Sequence, residues 1–143
     1  MGMYTHLVLN VTFMKNTPQA MIDTIRYMVG DSENEPPKQD HELFSTARWP
    51  ICLRCDSAYF MGDSYSSFEK SIIDEWELTV NSNCKNYNRE YQKFLDYIQP
   101  YIENFEYLGF IRYEEDDHPT LIYNTYRGIE YYTPEVELKG DIW

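Results

Sequence analysis

Several features are missing from this sequence, and each absence excludes a class of protein. The chain has 143 residues with 12 Lys and Arg against 24 Asp and Glu, and no two of its basic residues are adjacent. A protein that neutralises nucleic-acid phosphates or anionic lipid headgroups needs clustered Lys and Arg. The formal net charge of −12 therefore argues against direct nucleic-acid and membrane-surface binding, and it favours a cationic partner.

Long apolar runs are also missing. No run approaches the ~20 residues that span a bilayer, and the stretch from Met1 to His6 does not resemble a secretion signal. The three cysteines, Cys52, Cys55 and Cys84, are too few and odd in number for a disulfide-rich secreted scaffold. We therefore expect a cytoplasmic protein that does not enter a membrane.

Glycine-rich phosphate loops are absent as well. The closest pair of the six glycines is Gly128 and Gly140, so neither a G-x-G-x-x-G nor a Walker A pattern occurs. The serines of the 62–67 stretch do not form a G-x-S-x-G elbow, and the three histidines are isolated in sequence. These absences argue against an enzyme, and the sequence predicts no cofactor.

The elements that are present predict one α+β domain over residues 1–143. Apolar stripes at helical spacing predict helices over Pro18 to Val29 and from Asn86 or Asn88 to about Gln99. Alternating apolar positions and turn residues predict strands at Thr5–Phe13, Trp49–Phe60, Glu75–Asn81, Tyr107–Glu114, Thr120–Tyr126 and Ile129–Thr133. Between them lies an acidic loop at 31–47, whose plainest interpretation is a solvated connection.

The order of these elements is β-α-β-β-α-β followed by further strands. This order is typical of the split βαβ, ferredoxin-like arrangement, in which two helices cover one face of a mostly antiparallel sheet. The C-terminal hairpin strands would then extend that sheet. Because one fold of this kind serves unrelated functions, the function has to be argued from sites.

The clearest candidate site combines acidic and aromatic side chains. Four consecutive carboxylates, Glu114, Glu115, Asp116 and Asp117, occupy a predicted turn, and many of the fourteen tyrosines fall in the last third of the chain. Acidic charge raises the rate of encounter with a basic surface, and tyrosine rings are common binding hot spots. The candidate partner-binding residues are Glu114, Glu115, Asp116, Asp117, Tyr123, Tyr126 and Tyr131. The competing interpretation is a solvated turn beside ordinary cross-strand aromatic pairs.

We therefore expect a non-catalytic, acidic protein-interaction module. It could act as an inhibitor or immunity-type protein that occludes a basic surface of its partner, and the tyrosines leave self-association open. An alternative is a small-ligand domain with an aromatic pocket, in which Arg48, Trp49, Arg54 and Trp76 would contact an anionic ligand. A third, lower-ranked alternative is a metal-dependent enzyme that uses the acidic turn with His118.

Two further patterns favour a structural interpretation. Cys52 and Cys55 have C-x-x-C spacing, but on an extended strand residues three apart point to opposite faces, and a zinc site lacks a second pair. Buried, inert thiols are therefore the preferred interpretation. The segment 135–143 alternates apolar and polar residues and predicts an added edge strand or an aromatic end that docks in a groove, or else a mobile tail.

Overall fold

The strand β1 (Thr5–Thr12) lies at the centre of the molecule because one of its faces is strongly apolar. The computed structural model describes residues 3–57, 60 and 62–134 of the chain. Over these residues the protein is α+β, with six antiparallel strands and two helices. The other elements are α1 (Gln19–Val29), β2 (Tyr65–Lys70), β3 (Trp76–Cys84), α2 (Glu90–Ile98), β4 (Tyr107–Tyr113), β5 (Thr120–Thr125) and β6 (Gly128–Tyr132).

The sheet has the strand order β2-β3-β1-β4-β5-β6, and every neighbouring pair is antiparallel. Each helix connects two strands that flank a third. The helix α1 connects β1 to β2, which lie on either side of β3, and α2 connects β3 to β4, which lie on either side of β1. The strands β5 and β6 extend the sheet beyond β4, as the predicted C-terminal hairpin requires.

The two faces of the sheet differ in their covering. Leu7, Leu9 and Val11 of β1 are buried and share one core with both helices. The opposite face, which we call the outer face, carries side chains that are mostly half-buried or exposed. Its row across the six strands reads Tyr65, Asn81, Val8, Phe110, Leu121 and Tyr132.

The first helix follows the sequence prediction closely. Its buried stripe includes Met21, Ile22, Ile25 and Met28, and Gly30 ends it in the left-handed conformation with φ 89°. This conformation strains any residue with a Cβ atom, so glycine suits the position. The helix begins at Gln19, one residue later than expected, because Pro18 has extended backbone angles.

The predicted strand over Trp49–Phe60 is wrong. Residues 49–54 form consecutive turns, in which the Ile51 N–H donates to the Arg48 carbonyl and the Arg54 N–H donates to the Ile51 carbonyl. Cys52 and Leu53 are adjacent and both fully buried, which a strand with one buried face does not allow. The second strand is instead Tyr65–Lys70, where the sequence pattern predicts no strand.

The acidic loop at 31–47 is anchored to both helices. Gln39 accepts a hydrogen bond of 2.7 Å from the Tyr97 hydroxyl of α2 and donates one of 2.8 Å to the Thr24 hydroxyl of α1. A short 3-10 turn, Glu42–Ser45, follows and buries Leu43. The predicted edge strand or tail at 135–143 lies outside the described residues.

Candidate functional site: an acidic turn beside an open sheet face

The four predicted carboxylates lie on the connection between β4 and β5. The Asp116 N–H donates to the Tyr113 carbonyl at 2.9 Å, and the Asp116 carboxylate accepts from the Tyr113 N–H at 3.3 Å. The Arg112 Nε donates to the Asp116 carbonyl at 3.0 Å. These contacts fix the shape of the turn, while Glu115, Asp116 and Asp117 remain exposed.

The carboxylates of this turn have no cationic partner among the described residues. The ion pairs within 4.0 Å in that part of the chain are His41–Asp96, Lys70–Asp74 and Arg127–Glu130. Glu114 is half-buried, and its Oε2 is buried without a hydrogen-bond partner there. The turn therefore presents adjacent carboxylates that form no ion pair with the described residues, although the Arg112 guanidinium lies against the turn backbone.

An aromatic surface on the outer face begins close to this turn. Leu121, the second residue of β5, lies opposite Phe110 of β4 and Tyr132 of β6. The rings of Tyr123 and Tyr132 meet edge to face at 5.3 Å. We call Phe110, Leu121, Tyr123 and Tyr132 the outer aromatic patch. Part of it lines a shallow depression of about 330 Å³.

The three predicted tyrosines lie in three different places. Tyr123 belongs to the outer aromatic patch. Tyr131 points to the helix-covered side, as its pairing with the fully buried Ile122 requires, and burial raises its pKa to about 12. Tyr126 is 84% exposed in the β5–β6 turn, at the other end of β5 from the acidic turn. A strand of that length separates the two turns by roughly 17 Å.

A cavity of about 340 Å³ lies on the helix-covered side, between the start of α2 and strands β4 to β6. Two of the predicted residues, Asp116 and Tyr131, line it together. The complete lining is Thr5, Asn86, Arg89, Gln92, Ile111, Tyr113, Asp116, Thr120 and Tyr131. No local pattern in the sequence indicates this cavity, because its residues come from five separate segments of the chain.

The four residues of the alternative ligand site do not meet in one pocket. Trp76 opens β3 and stacks on Phe68 at 4.6 Å, whereas Arg48 lies near Cys84, the last residue of β3, and over the ring of Tyr87 at 5.2 Å. The ends of a strand of this length are roughly 27 Å apart. Trp49 and Arg54 belong to the segment that carries Arg48: Trp49 packs edge to face on Phe44 at 4.9 Å, and Arg54 lies beside Gly30.

The three free cysteines lie near one another, and Glu90 of α2 lies near Cys52 and Cys84. Burial, with smaller contributions from Cys84, Glu90 and Cys55, raises the pKa of Cys52 well above its usual range. Burial also raises the pKa of Cys84 to about 12, and it raises the pKa of the half-buried Cys55. Thiols with such pKa values stay protonated at neutral pH and are poor nucleophiles.

Nothing in the described part of the chain assembles a metal centre: no three His, Cys, Asp or Glu side chains converge there as metal ligands do. Neither α1 nor α2, nor any other helix among the described residues, is long and apolar enough to cross a bilayer.

Comparisons with protein-family models, with curated proteins and with solved structures found no match to this chain.

Proposed function

We propose that the protein is a non-catalytic interaction module that binds a basic surface of another protein through its acidic turn. The main support for this proposal is that Glu115, Asp116 and Asp117 are adjacent and exposed. None of the three forms an ion pair with another described residue. Unpaired surface charges of one sign steer an oppositely charged partner during encounter.

The outer aromatic patch supplies the second part of the proposed docking surface. Charges at an interface rim set the rate and specificity of binding, whereas buried aromatic anchors supply most of the affinity. Phe110 and Leu121 lie on the two strands that the acidic turn connects, so a partner could contact both features at once. Tyr126 and Tyr131 lie away from this surface, and we leave them out of the proposed contact set.

The type of partner follows from charge complementarity. The chain carries a net charge of −12, and its acidic turn presents carboxylates much as a nucleic acid presents phosphates. An inhibitor or immunity-type protein that occludes a basic site would use such a surface. A second copy of this chain is a poorer candidate for the same surface, because two acidic turns would repel each other.

We further propose that the first four strands and both helices form a ferredoxin-like, split βαβ unit. The strand order β2-β3-β1-β4 and the two helical connections support this interpretation. The three free, buried or half-buried thiols favour a reducing compartment, in agreement with the proposed cytoplasmic location.

Affinity capture from the source organism tests the proposed function. The tagged chain is compared with an E115Q/D117N variant and with a control variant, E33Q/D40N, which removes two exposed charges from the 31–47 loop. The proposal predicts a partner that the wild type and the control retain at ~50 mM salt and that the turn variant loses. Increasing the salt to ~0.5 M should release that partner, since screening weakens contacts between exposed charges. Equal capture by all three chains at both salt concentrations would contradict the proposal.

A further inference from the structure

The cavity between α2 and strands β4 to β6 contains two opposite charges that are not paired with each other. Arg89 and Asp116 both line it, and neither takes part in an ion pair within 4.0 Å among the described residues. The positive charge of Arg89 nevertheless affects Tyr131, which lines the same cavity. Burial raises the pKa of Tyr131, and the positive charge of Arg89 opposes that shift.

The polar wall of this cavity is held in place by hydrogen bonds. The Asn86 side chain accepts from the Tyr91 N–H at 2.9 Å and donates to the Gln92 side chain at 2.7 Å. The Asp116 carboxylate is fixed by the Tyr113 N–H at 3.3 Å. Because these groups are already oriented, a ligand would not have to pay the full entropic cost of ordering them.

The backbone of Arg89 is strained. This residue precedes α2 and has the left-handed conformation, with φ 58° and ψ 39°. Residues other than glycine, asparagine and aspartate rarely adopt it. Strain of this kind concentrates at ligand sites, where the surrounding structure holds a residue in an unfavourable conformation. This conformation accompanies a cationic side chain in the lining of a cavity within a strongly acidic protein.

The two charges decide the class of ligand. A simple anion would meet the Asp116 carboxylate and the net charge of −12, and a simple cation would meet Arg89. A ligand that carries both an ammonium and a carboxylate group can satisfy Asp116 and Arg89 together. The volume of about 340 Å³ is at the small end of the range for ligand pockets.

We propose that this cavity binds a small zwitterion of the amino-acid class, with its carboxylate at Arg89 and its ammonium group at Asp116. Ile111 and the rings of Tyr113 and Tyr131 would contact the ligand side chain. This site shares Asp116 with the acidic turn, but Glu115 and Asp117, whose variants test the proposed docking of a basic protein, do not line the cavity, so the two proposals can fail separately.

A titration followed by heteronuclear NMR on the full ¹⁵N-labelled chain tests the proposal. Glycine and the common L-amino acids are added singly at ~10 mM, and the best ligand is compared with its analogue lacking the ammonium group and its analogue lacking the carboxylate. We expect at least one amino acid to shift the amide resonances of Asn86, Arg89 and Gln92. Each analogue should bind at least about tenfold more weakly than that amino acid. No shift with any amino acid, or equal binding of either analogue, would overturn the proposal.

Matched variants test whether Arg89 and Asp116 each contribute to ligand binding. R89Q and D116N each remove one charge from the cavity, and each should weaken binding about tenfold or more. R54Q and D63N remove the same charges from exposed positions outside the cavity lining and should leave binding unchanged. The NMR spectrum of each free variant shows whether it is folded. Unchanged affinity in a folded R89Q or D116N would overturn the assignment.

Discussion

Gly109 of β4 lies so close to Val8 of β1 that a Cβ atom on Gly109 would overlap the Val8 backbone carbonyl. The φ of Gly109 is +151°, and the pairing of β4 with β5 shifts register next to it. A β-bulge of this kind needs a residue without a side chain. The contact joins the β4–β6 half of the sheet, which carries the acidic turn, to the central strand β1.

The substitution Gly109→Ala should therefore destabilise the protein by about 4 kcal/mol, since the overlap is with backbone that cannot move aside cheaply. Gly128→Ala is the matched control: Gly128 also has a positive φ, of 107°, but nothing lies within 4 Å of its added Cβ. The control should lose about 1–2 kcal/mol. Chemical denaturation of both variants measures the difference, and equal losses would show that the close approach to Val8 is unimportant.

Much of the sheet could be predicted from sequence because its central strands bury one face only. Leu7, Leu9 and Val11 alternate with polar or half-buried residues in β1, and Leu78 and Val80 do so in β3. The edge strand β2 could not be found in this way. It buries only Phe68 among six mostly polar residues. Its extended structure therefore depends on hydrogen bonding to β3 and not on an alternating apolar pattern.

The acidic turn could also be predicted from sequence, but its surroundings could not. The alternation of Ile51, Leu53 and Cys55 suggested a strand, whereas Ser82 of β3 holds this segment as turns by donating to the Cys52 carbonyl at 2.7 Å. The cavity beside Asp116 depends on the position of α2 against β4–β6, which no local pattern encodes. Long-range packing therefore overrode the local preference in the 49–54 segment and alone determined the cavity.

Glu75 and Glu103 form a carboxyl pair whose protonation should affect stability. The side-chain hydrogen bond with Glu103 raises the pKa of Glu75 above its usual 4.5, burial adds to the shift, and Lys15 opposes it. The folded state therefore holds a proton more tightly than the unfolded state. Stability from this group is complete below about pH 4.5 and falls as the pH rises through the raised value.

The variant E75Q imitates the protonated form, so its melting temperature should exceed that of the wild type at pH 7. The difference should shrink towards pH 4, where Glu75 is protonated in both states. E77Q, which changes an exposed carboxylate on β3, is the control and should show no such pH dependence. Thermal unfolding followed by circular dichroism at several pH values measures this effect. An E75Q variant that melts below the wild type at pH 7 would contradict the interpretation.

The thiols should differ in reactivity according to their burial. In the native protein at pH 8, iodoacetamide should modify Cys55 first, because Cys52 and Cys84 are buried and have strongly raised pKa values. All three should react rapidly in denaturant. Mass spectrometry of timed samples gives the order of modification. Native-state labelling of Cys52 or Cys84 as fast as that of Cys55 would show that the C-x-x-C segment is open to redox chemistry.

Carboxylate footprinting of the captured complex shows whether the acidic turn lies in the interface with the partner. The chain is labelled with a carbodiimide and glycine ethyl ester, free and bound to the partner recovered at low salt. We expect labelling of Glu115 and Asp117 to fall several-fold in the complex, while labelling of the exposed Glu33 and Glu35 in the 31–47 loop stays unchanged. Full labelling of Glu115 and Asp117 within an intact complex would contradict the proposed docking.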